Sequence, residues 1–324
     1  MRAARYHEAG NPDVLSVTDL ERPEPGAGEL LVEVRAASVN PVDAKFRAWG
    51  VPDGPKTTGS DLAGVVESIG PGVDDYEVGQ RVFGTGLHST RFDGGSFAEY
   101  AVVPTDLVAP LPEEVDFETG AAVALVGVTA WRAFVDHAGL EPGETAFVHG
   151  GNGGVGHVTV GLADAMGASA LATARPEHHD AVAGFGAEAV FDYSREDLIG
   201  AVLGRVEGGA DVVLDHMPGT YLGTDVELAS FGGDIVVIAG GEATFPDVSA
   251  ARSKELTLHP MSMTNLVDHA EMPDIAPILS RLGRLVADGP LDVAIDRTLP
   301  LSEAAEAHRA VLEERIVGKI VVVP

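Results

Sequence analysis

The chain has 324 residues, 50 acidic against 21 basic side chains, a formal charge of −29 and no cysteine. That length can bury the cores of two domains, and the lack of cysteine excludes disulfides and thiolate zinc sites. The charge opposes any partner held through phosphate neutralisation, so no nucleic acid is expected; no run is apolar enough to span a membrane, and a cytoplasmic location fits.

Met1 to Tyr6 reads as the start of a strand, without the apolar core of a signal peptide. Up to about Leu125, short β-like runs alternate with glycine and proline, at residues 30–35, 62–69 and 97–103. This rhythm predicts a small barrel-like β domain. From about Val126 the pattern changes to alternating strands and helices. A strand at 145–148 runs into Gly150-Gly151-Asn152-Gly153-Gly154-Val155-Gly156, which opens an amphipathic helix to Met166 closed by Gly167. A second strand at 168–174 completes a βαβ unit. Gly150, Gly153 and Gly156 suit a tight turn, backbone approach to a pyrophosphate and close helix–sheet packing, with the anion on the helix N-terminus.

After that second strand, a site preferring NAD carries an acidic residue for the ribose 2′-hydroxyl, but here the chain reads Ala172-Thr173-Ala174-Arg175-Pro176. Arg175 can pair with a 2′-phosphate through its planar fork, with His178 and His179 just beyond, so NADPH is the expected cofactor. A solvated loop arginine is the alternative reading. Further strand cores near Val190, at 212–214 and at 235–238 predict a doubly wound parallel sheet over 126–265. A strand at 256–259 closes it, with an edge exposed enough to pair across a homodimer. Beyond Asn265 come a helix through Leu285, a strand around Val293, a helix at 302–315 and a last strand at 320–323. This tail is expected to fold back, so that 1–125 and 266–324 form one domain.

Several motifs together carry a resemblance: Val39-Asn40-Pro41-Val42-Asp43, Gly59-Ser60-Asp61-Leu62-Ala63-Gly64-Val65, Gly79-Gln80-Arg81-Val82-Phe83, Gly95-Ser96-Phe97-Ala98-Glu99-Tyr100, the His149 to Gly156 turn, and Gly318-Lys319. In that order and nearly end to end, the chain resembles the medium-chain dehydrogenase/reductase superfamily, and most closely its quinone oxidoreductase (zeta-crystallin-like) branch. The resemblance implies an α/β protein with a GroES-like β-barrel catalytic domain and a Rossmann domain that binds NADPH. It also implies that Asn40, Thr129, Gly150 to Gly156, Tyr193, Gly240, Gly241 and Lys319 line or approach the cofactor, Asn40 and Thr129 being the expected polar contacts in catalysis. Tyr193 also stands where an ordinary strand-terminal aromatic would.

The zinc alcohol dehydrogenases of this superfamily have a cysteine where this chain has Asn40, and a His-Glu pair where it has Ser60-Asp61. No metal is therefore expected; His88, His137, His178 and His179 are the remaining candidate ligands. Where the family often has tyrosines near the substrate, the chain has Lys45 and Val51; Arg47 matches a family arginine or is a solvated loop residue beside Trp49. The expected reaction is metal-free hydride transfer from NADPH to a quinone or conjugated enone. The alternatives are an alkenal or enoyl C=C reductase and a crystallin-like cofactor-binding protein without turnover. Acid spread through every segment, with only four lysines, further resembles proteins of extreme halophiles.

Overall fold

The computed structural model describes residues 1–49, 54–87, 94–245, 248–269 and 271–324. The chain divides into two compact units: Met1–Val128 with Met263–Gly289 and Val293–Pro324, and Thr129–Ser262 with Pro290–Asp292.

The first unit is built on a seven-stranded sheet. Its central strand, Glu29–Ser38, pairs antiparallel with Leu62–Ile69, with Tyr100–Pro104 and, at its far end, with Lys319–Val323. Two register shifts bend Glu29–Ser38 along its length, as barrel walls require. Leu30, Leu31 and Val66 on these strands, Val82 and Phe83 on the neighbouring strand Arg81–Gly84, and Phe97 are fully buried. Leu62–Ile69 has the expected bounds, and the last strand begins one residue earlier than expected, at Lys319. Register matters here because Val321 lies opposite Ser38 and Val322 opposite Ala37, which brings Lys319 beside the residues that follow Ser38. The helices Pro41–Trp49 and Phe117–Trp131 stand where the sequence suggested only strands and turns. Phe117–Trp131 is apolar nearly all round, as befits a buried helix, so it lacks the one-sided stripe that marks a surface helix.

The second unit is a six-stranded, wholly parallel sheet. From edge to edge its strands are Ala187–Asp192, Ser169–Ala174, Thr145–Val148, Ala210–Asp215, Ala229–Val237 and Thr257–Pro260. Numbered within the unit this is the order 3-2-1-4-5-6 of a dinucleotide-binding fold, whose switch point lies between Thr145–Val148 and Ala210–Asp215. Phe147, Leu171, Val213, Leu222, Val226 and Ile235 form its core. The sheet is covered on both faces, so its strands read as continuous apolar runs. The closing strand Thr257–Pro260 is an edge, with Leu258 exposed. Among the described residues no helix is long and apolar enough to cross a membrane.

Candidate functional site

The glycine-rich turn leaves Thr145–Val148 and enters the helix Gly154–Ala165. It is pinned to the neighbouring strand through Thr173: the Gly150 N–H donates to Thr173 Oγ1 at 3.0 Å and the Gly151 N–H to the Thr173 carbonyl at 2.8 Å. Gly150 sits at φ +68°, a conformation L side chains rarely adopt, and a Cβ on Gly156 would lie 2.1 Å from the Gly150 carbonyl oxygen. The turn can therefore exist only with glycine at these places. No side chain caps the helix at Gly153, so the first-turn N–H groups at Gly154 and Val155 stay available to an anion. Asn152 is half-buried beside them. A backbone cradle narrowed by glycine and topped by uncapped N–H groups fits a dinucleotide pyrophosphate.

At the end of Ser169–Ala174 the structure joins two residues that the sequence placed only singly. Arg175 Nε donates to the Tyr193 hydroxyl at 2.7 Å, and the guanidinium carbon lies 5.8 Å from the Tyr193 ring centroid. The Arg175 Nη1 is 3.9 Å from Glu177 Oε1, a loose contact that leaves the fork able to meet a phosphate. His178 ends the short Pro176–His178 helical turn, half-buried, with its backbone N–H on the Arg175 carbonyl. Gly240 and Gly241 follow Ala229–Val237 and are exposed. Thr129 is buried in the helix Phe117–Trp131.

In the first unit Asn40 and Lys319 meet inside a buried polar network. Lys319 Nζ donates to Asn40 Oδ1 and, at 2.8 Å, to the Val39 carbonyl. Asn40 Nδ2 donates to Asp61 Oδ2 at 2.7 Å, and the same oxygen accepts from Ser38 Oγ at 2.6 Å. Ser60 Oγ donates to Asp43 Oδ1 at 2.6 Å, while Asp43 Oδ2 accepts the Asn40 backbone N–H at 2.9 Å. All six side chains are at most 2 % exposed. Burial raises the Asp61 carboxyl against the pull of the Lys319 ammonium, and lowers Lys319 against the pull of Asp61 and Asp43. Burial pushes Asp43 up to about 7, with the Ser60 hydrogen bond opposing.

This network occupies the sequence positions at which the resemblance puts zinc ligands in the alcohol dehydrogenases. Its donor set does not suit zinc: the amide, hydroxyl and carboxylate are hydrogen-bonded to one another, and a fixed ammonium sits among them. Among the described residues no group of three or more His, Cys, Asp or Glu side chains could hold a metal ion. Of the candidate histidine ligands, His137 contacts Arg132 Nη2 at 3.1 Å and His179 contacts the Ala174 carbonyl at 3.3 Å. His88 and Val51 lie outside the described residues.

Sequence reasoning missed Asp43 and Ser38 as members of the network. It also left Arg47 open between a family match and a solvated loop, and the structure places it 2 % exposed in the helix Pro41–Trp49. Arg47 Nε donates to His308 Nδ1 at 3.3 Å, His308 Nε2 lies 3.3 Å from Thr58 Oγ1, and Arg47 Nη1 donates to the Gly10 carbonyl.

A 3-2-1-4-5-6 parallel sheet with a glycine-rich first turn, in one chain with a bent, mostly antiparallel seven-stranded sheet, defines a two-domain α/β dehydrogenase or reductase. Residues 26–113 match the alcohol dehydrogenase GroES-like domain, and residues 185–322 match a zinc-binding dehydrogenase family. Mouse quinone oxidoreductase is 33% identical over 320 residues, 96% of this chain and 94% of that protein. Two solved structures superpose over the full length of both chains: an NAD-dependent alcohol dehydrogenase, 30% identical with a TM-score of 0.89, and a mycobacterial protein complexed with NADPH, 27% identical with a TM-score of 0.86. The chain belongs to the medium-chain dehydrogenase/reductase superfamily and is an enzyme of its quinone oxidoreductase-like group. The match over residues 185–322 keeps the name of a zinc-binding family although Asn40, Ser60 and Asp61 stand in this chain at the zinc-ligand positions.

Proposed function

We propose that the protein is an NADPH-dependent, zinc-independent reductase that passes hydride to a quinone or a conjugated enone. The observation that carries this reading is the Asn40–Asp61–Lys319 network, in which hydrogen bonds and an ammonium stand where a Lewis acid would need ligands. Without such a metal the acceptor must itself be electron-poor, which favours quinones and enones over simple ketones and alcohols.

NADPH, when bound, supplies the hydride. The chain's own residues bind and orient. The N–H groups of Gly154 and Val155, in the turn formed by Gly150, Asn152, Gly153 and Gly156, receive the pyrophosphate, and Arg175, steadied by Tyr193, receives the 2′-phosphate with His178 nearby. Asn40, Thr129, Gly240, Gly241 and Lys319 complete the proposed cofactor contacts, Asn40 and Thr129 serving as the polar contacts near the reacting ring. Orientation over an already electrophilic acceptor supplies most of the rate on this reading. The exposed edge Thr257–Pro260 supports a homodimer, and the composition supports a cytoplasmic enzyme working in concentrated salt.

The test is absorbance loss at the nicotinamide band with a benzoquinone or naphthoquinone in high salt, corrected for the direct chemical reaction. Chelator-dialysed protein should turn over at its original rate and oxidise alcohols with NADP only weakly. Primary alcohols or sugars as better substrates, or activity lost with zinc and restored by it, would overturn the proposal.

A further inference from the structure

The glycine-rich turn is held from outside by a residue of the neighbouring strand. Thr173, 1 % exposed near the end of Ser169–Ala174, offers the turn two acceptors: Oγ1 takes the Gly150 N–H at 3.0 Å and the carbonyl oxygen takes the Gly151 N–H at 2.8 Å. The turn lies directly against this strand, since a Cβ on Gly151 would stand 2.8 Å from the Ala172 Cβ and 2.8 Å from Val182 Cγ1. The carbonyl bond prolongs the parallel ladder in which Ala172 lies opposite Val148, and any residue at position 173 could supply it. The bond to Gly150 is different, because it needs an oxygen on a short side chain.

From Thr173 the hydrogen bonds run on, link by link, to the start of the helix Gly154–Ala165. The Gly150 carbonyl accepts the Gly153 N–H at 2.9 Å, and the Gly153 carbonyl accepts the His157 N–H at 3.0 Å. Gly153 is the residue that opens the helix, so fixing it fixes the direction of the Gly154 and Val155 N–H groups that follow. The N–H groups of Gly150, Gly151 and Gly153 are thereby committed inside the protein, and those of Gly154 and Val155 are the ones left to an anion. Five of the seven residues from Gly150 to Gly156 are glycine, the residue that loses most backbone freedom on ordering, so the turn depends on contacts from elsewhere to keep one conformation.

We propose that Thr173 is a positioning residue for cofactor binding: its hydroxyl holds Gly150 and, through the Gly150 carbonyl, Gly153, so that the Gly154 and Val155 N–H groups are aimed before a pyrophosphate arrives. The proposal rests on the reading of the turn as a cofactor cradle. Without the hydroxyl, the half-buried Gly150 N–H loses its acceptor and the turn moves to find water, so that binding must first restore the pinned form. Apparent affinity then falls by the fraction of molecules that remain pinned. Arg175 stands two residues further along the chain and meets a group that NADPH alone carries, whereas the pyrophosphate is common to NADPH and NADH. Loss of the Thr173 hydroxyl must therefore weaken both cofactors by the same factor.

The experiment compares Thr173→Val, which keeps the shape and removes the acceptor, with Thr173→Ser, which keeps the acceptor. In the full-length protein Thr173→Val should raise the Kd of NADPH and of NADH about tenfold each, and Thr173→Ser should stay within about twofold of wild type. With a quinone acceptor, the KM for NADPH should rise with Kd in Thr173→Val while kcat at saturation stays within about twofold, because the bound turn is pinned again. Amide hydrogen exchange of the cofactor-free protein is the independent readout: Gly150 and Gly153 should exchange at least about tenfold faster in Thr173→Val, with Phe147 and Leu171 in the paired strands unchanged. Kd values kept within about twofold in Thr173→Val, a loss confined to NADPH, or a Thr173→Ser variant as weak as Thr173→Val would each overturn the proposal. Faster exchange at Phe147 and Leu171 as well would show a general loosening and overturn it too. Thr173→Ala takes the place of a Thr173→Val protein that does not fold, and failure of both to fold assigns the hydroxyl to the fold and overturns its role in the cradle. A wild type that binds neither nucleotide overturns the cofactor reading and the proposed role with it, whereas binding with Gly150 exchange unaltered in Thr173→Val overturns the pinning alone.

Discussion

Replacing Arg175 with alanine should separate the two nicotinamide cofactors. The guanidinium side chain is 31% exposed, its Nε is committed to Tyr193, and Nη1 has Glu177 as a weak competitor at 3.9 Å. A buried charge-assisted hydrogen bond contributes about 1.5–3 kcal/mol, and partial exposure with a nearby carboxylate places this one near the lower end, about 1.5 kcal/mol. NADPH affinity should therefore fall about tenfold in Arg175→Ala. NADH carries no 2′-phosphate and should lose less than about twofold. Tyr193→Phe removes only the hydroxyl that orients the fork, and should cost NADPH about 0.5–1 kcal/mol while leaving NADH alone. Equilibrium titration by nicotinamide fluorescence gives both constants, and the ratio of kcat/KM for the two cofactors checks them under turnover. Equal losses for NADPH and NADH would refute the assignment of Arg175 to the phosphate, and unchanged NADPH binding would return it to the solvated loop.

Gly156→Ala places a Cβ 2.1 Å from the Gly150 carbonyl oxygen, so the turn must shift; affinity for NADPH and NADH should fall together by about tenfold or more, and affinity kept within about twofold would show that the turn does not cradle the cofactor. The thermal midpoint should climb as KCl is added into the molar range, because screening within about 3 Å relieves repulsion in a chain of charge −29, and a flat or falling midpoint would count against adaptation to salt. Burial beside Arg47 pushes His308 down to about 3, so its stability contribution is complete above the unfolded value near 6.5 and is lost as pH falls toward 3. Wild type should accordingly lose about 3 kcal/mol relative to His308→Gln between pH 7 and 4 in urea melts, and a pH-independent gap would mean that His308 takes up its proton equally in the folded and unfolded chain.

Both halves of the fold were legible for different reasons. The barrel strands alternate or cluster apolar residues between glycine and proline punctuation, and the dinucleotide-binding half carries a glycine turn whose spacing has few other uses. The helix Pro41–Trp49 was overlooked although its signal is present: Asn40 is followed by Pro41, and Asp43 reaches back to the Asn40 N–H as a capping box does. The Asn40–Lys319 contact joins residues 279 positions apart, and only the antiparallel pairing of Val321 with Ser38 brings them together. The same holds for Arg47 and His308, 261 positions apart. Motif reading identifies such residues singly; the sheet register decides which of them touch.

The charge balance of the chain sharpens the role of those contacts. A protein with 50 acidic and 21 basic residues presents a repulsive field to a polyanionic cofactor, so affinity must come from groups acting at short range. The uncapped N–H groups above Gly153 are fixed dipoles that act only in contact, and Arg175 is held at one place by Tyr193. Concentrated salt removes the long-range repulsion and leaves contact interactions largely intact, since a screening length of about 3 Å at 1 M is no longer than a hydrogen bond. An acidic surface and an anion-binding turn are therefore compatible in one enzyme where the solvent is salty, and they oppose each other where it is not. In dilute solution the unscreened carboxylates would weaken both the fold and its hold on the cofactor.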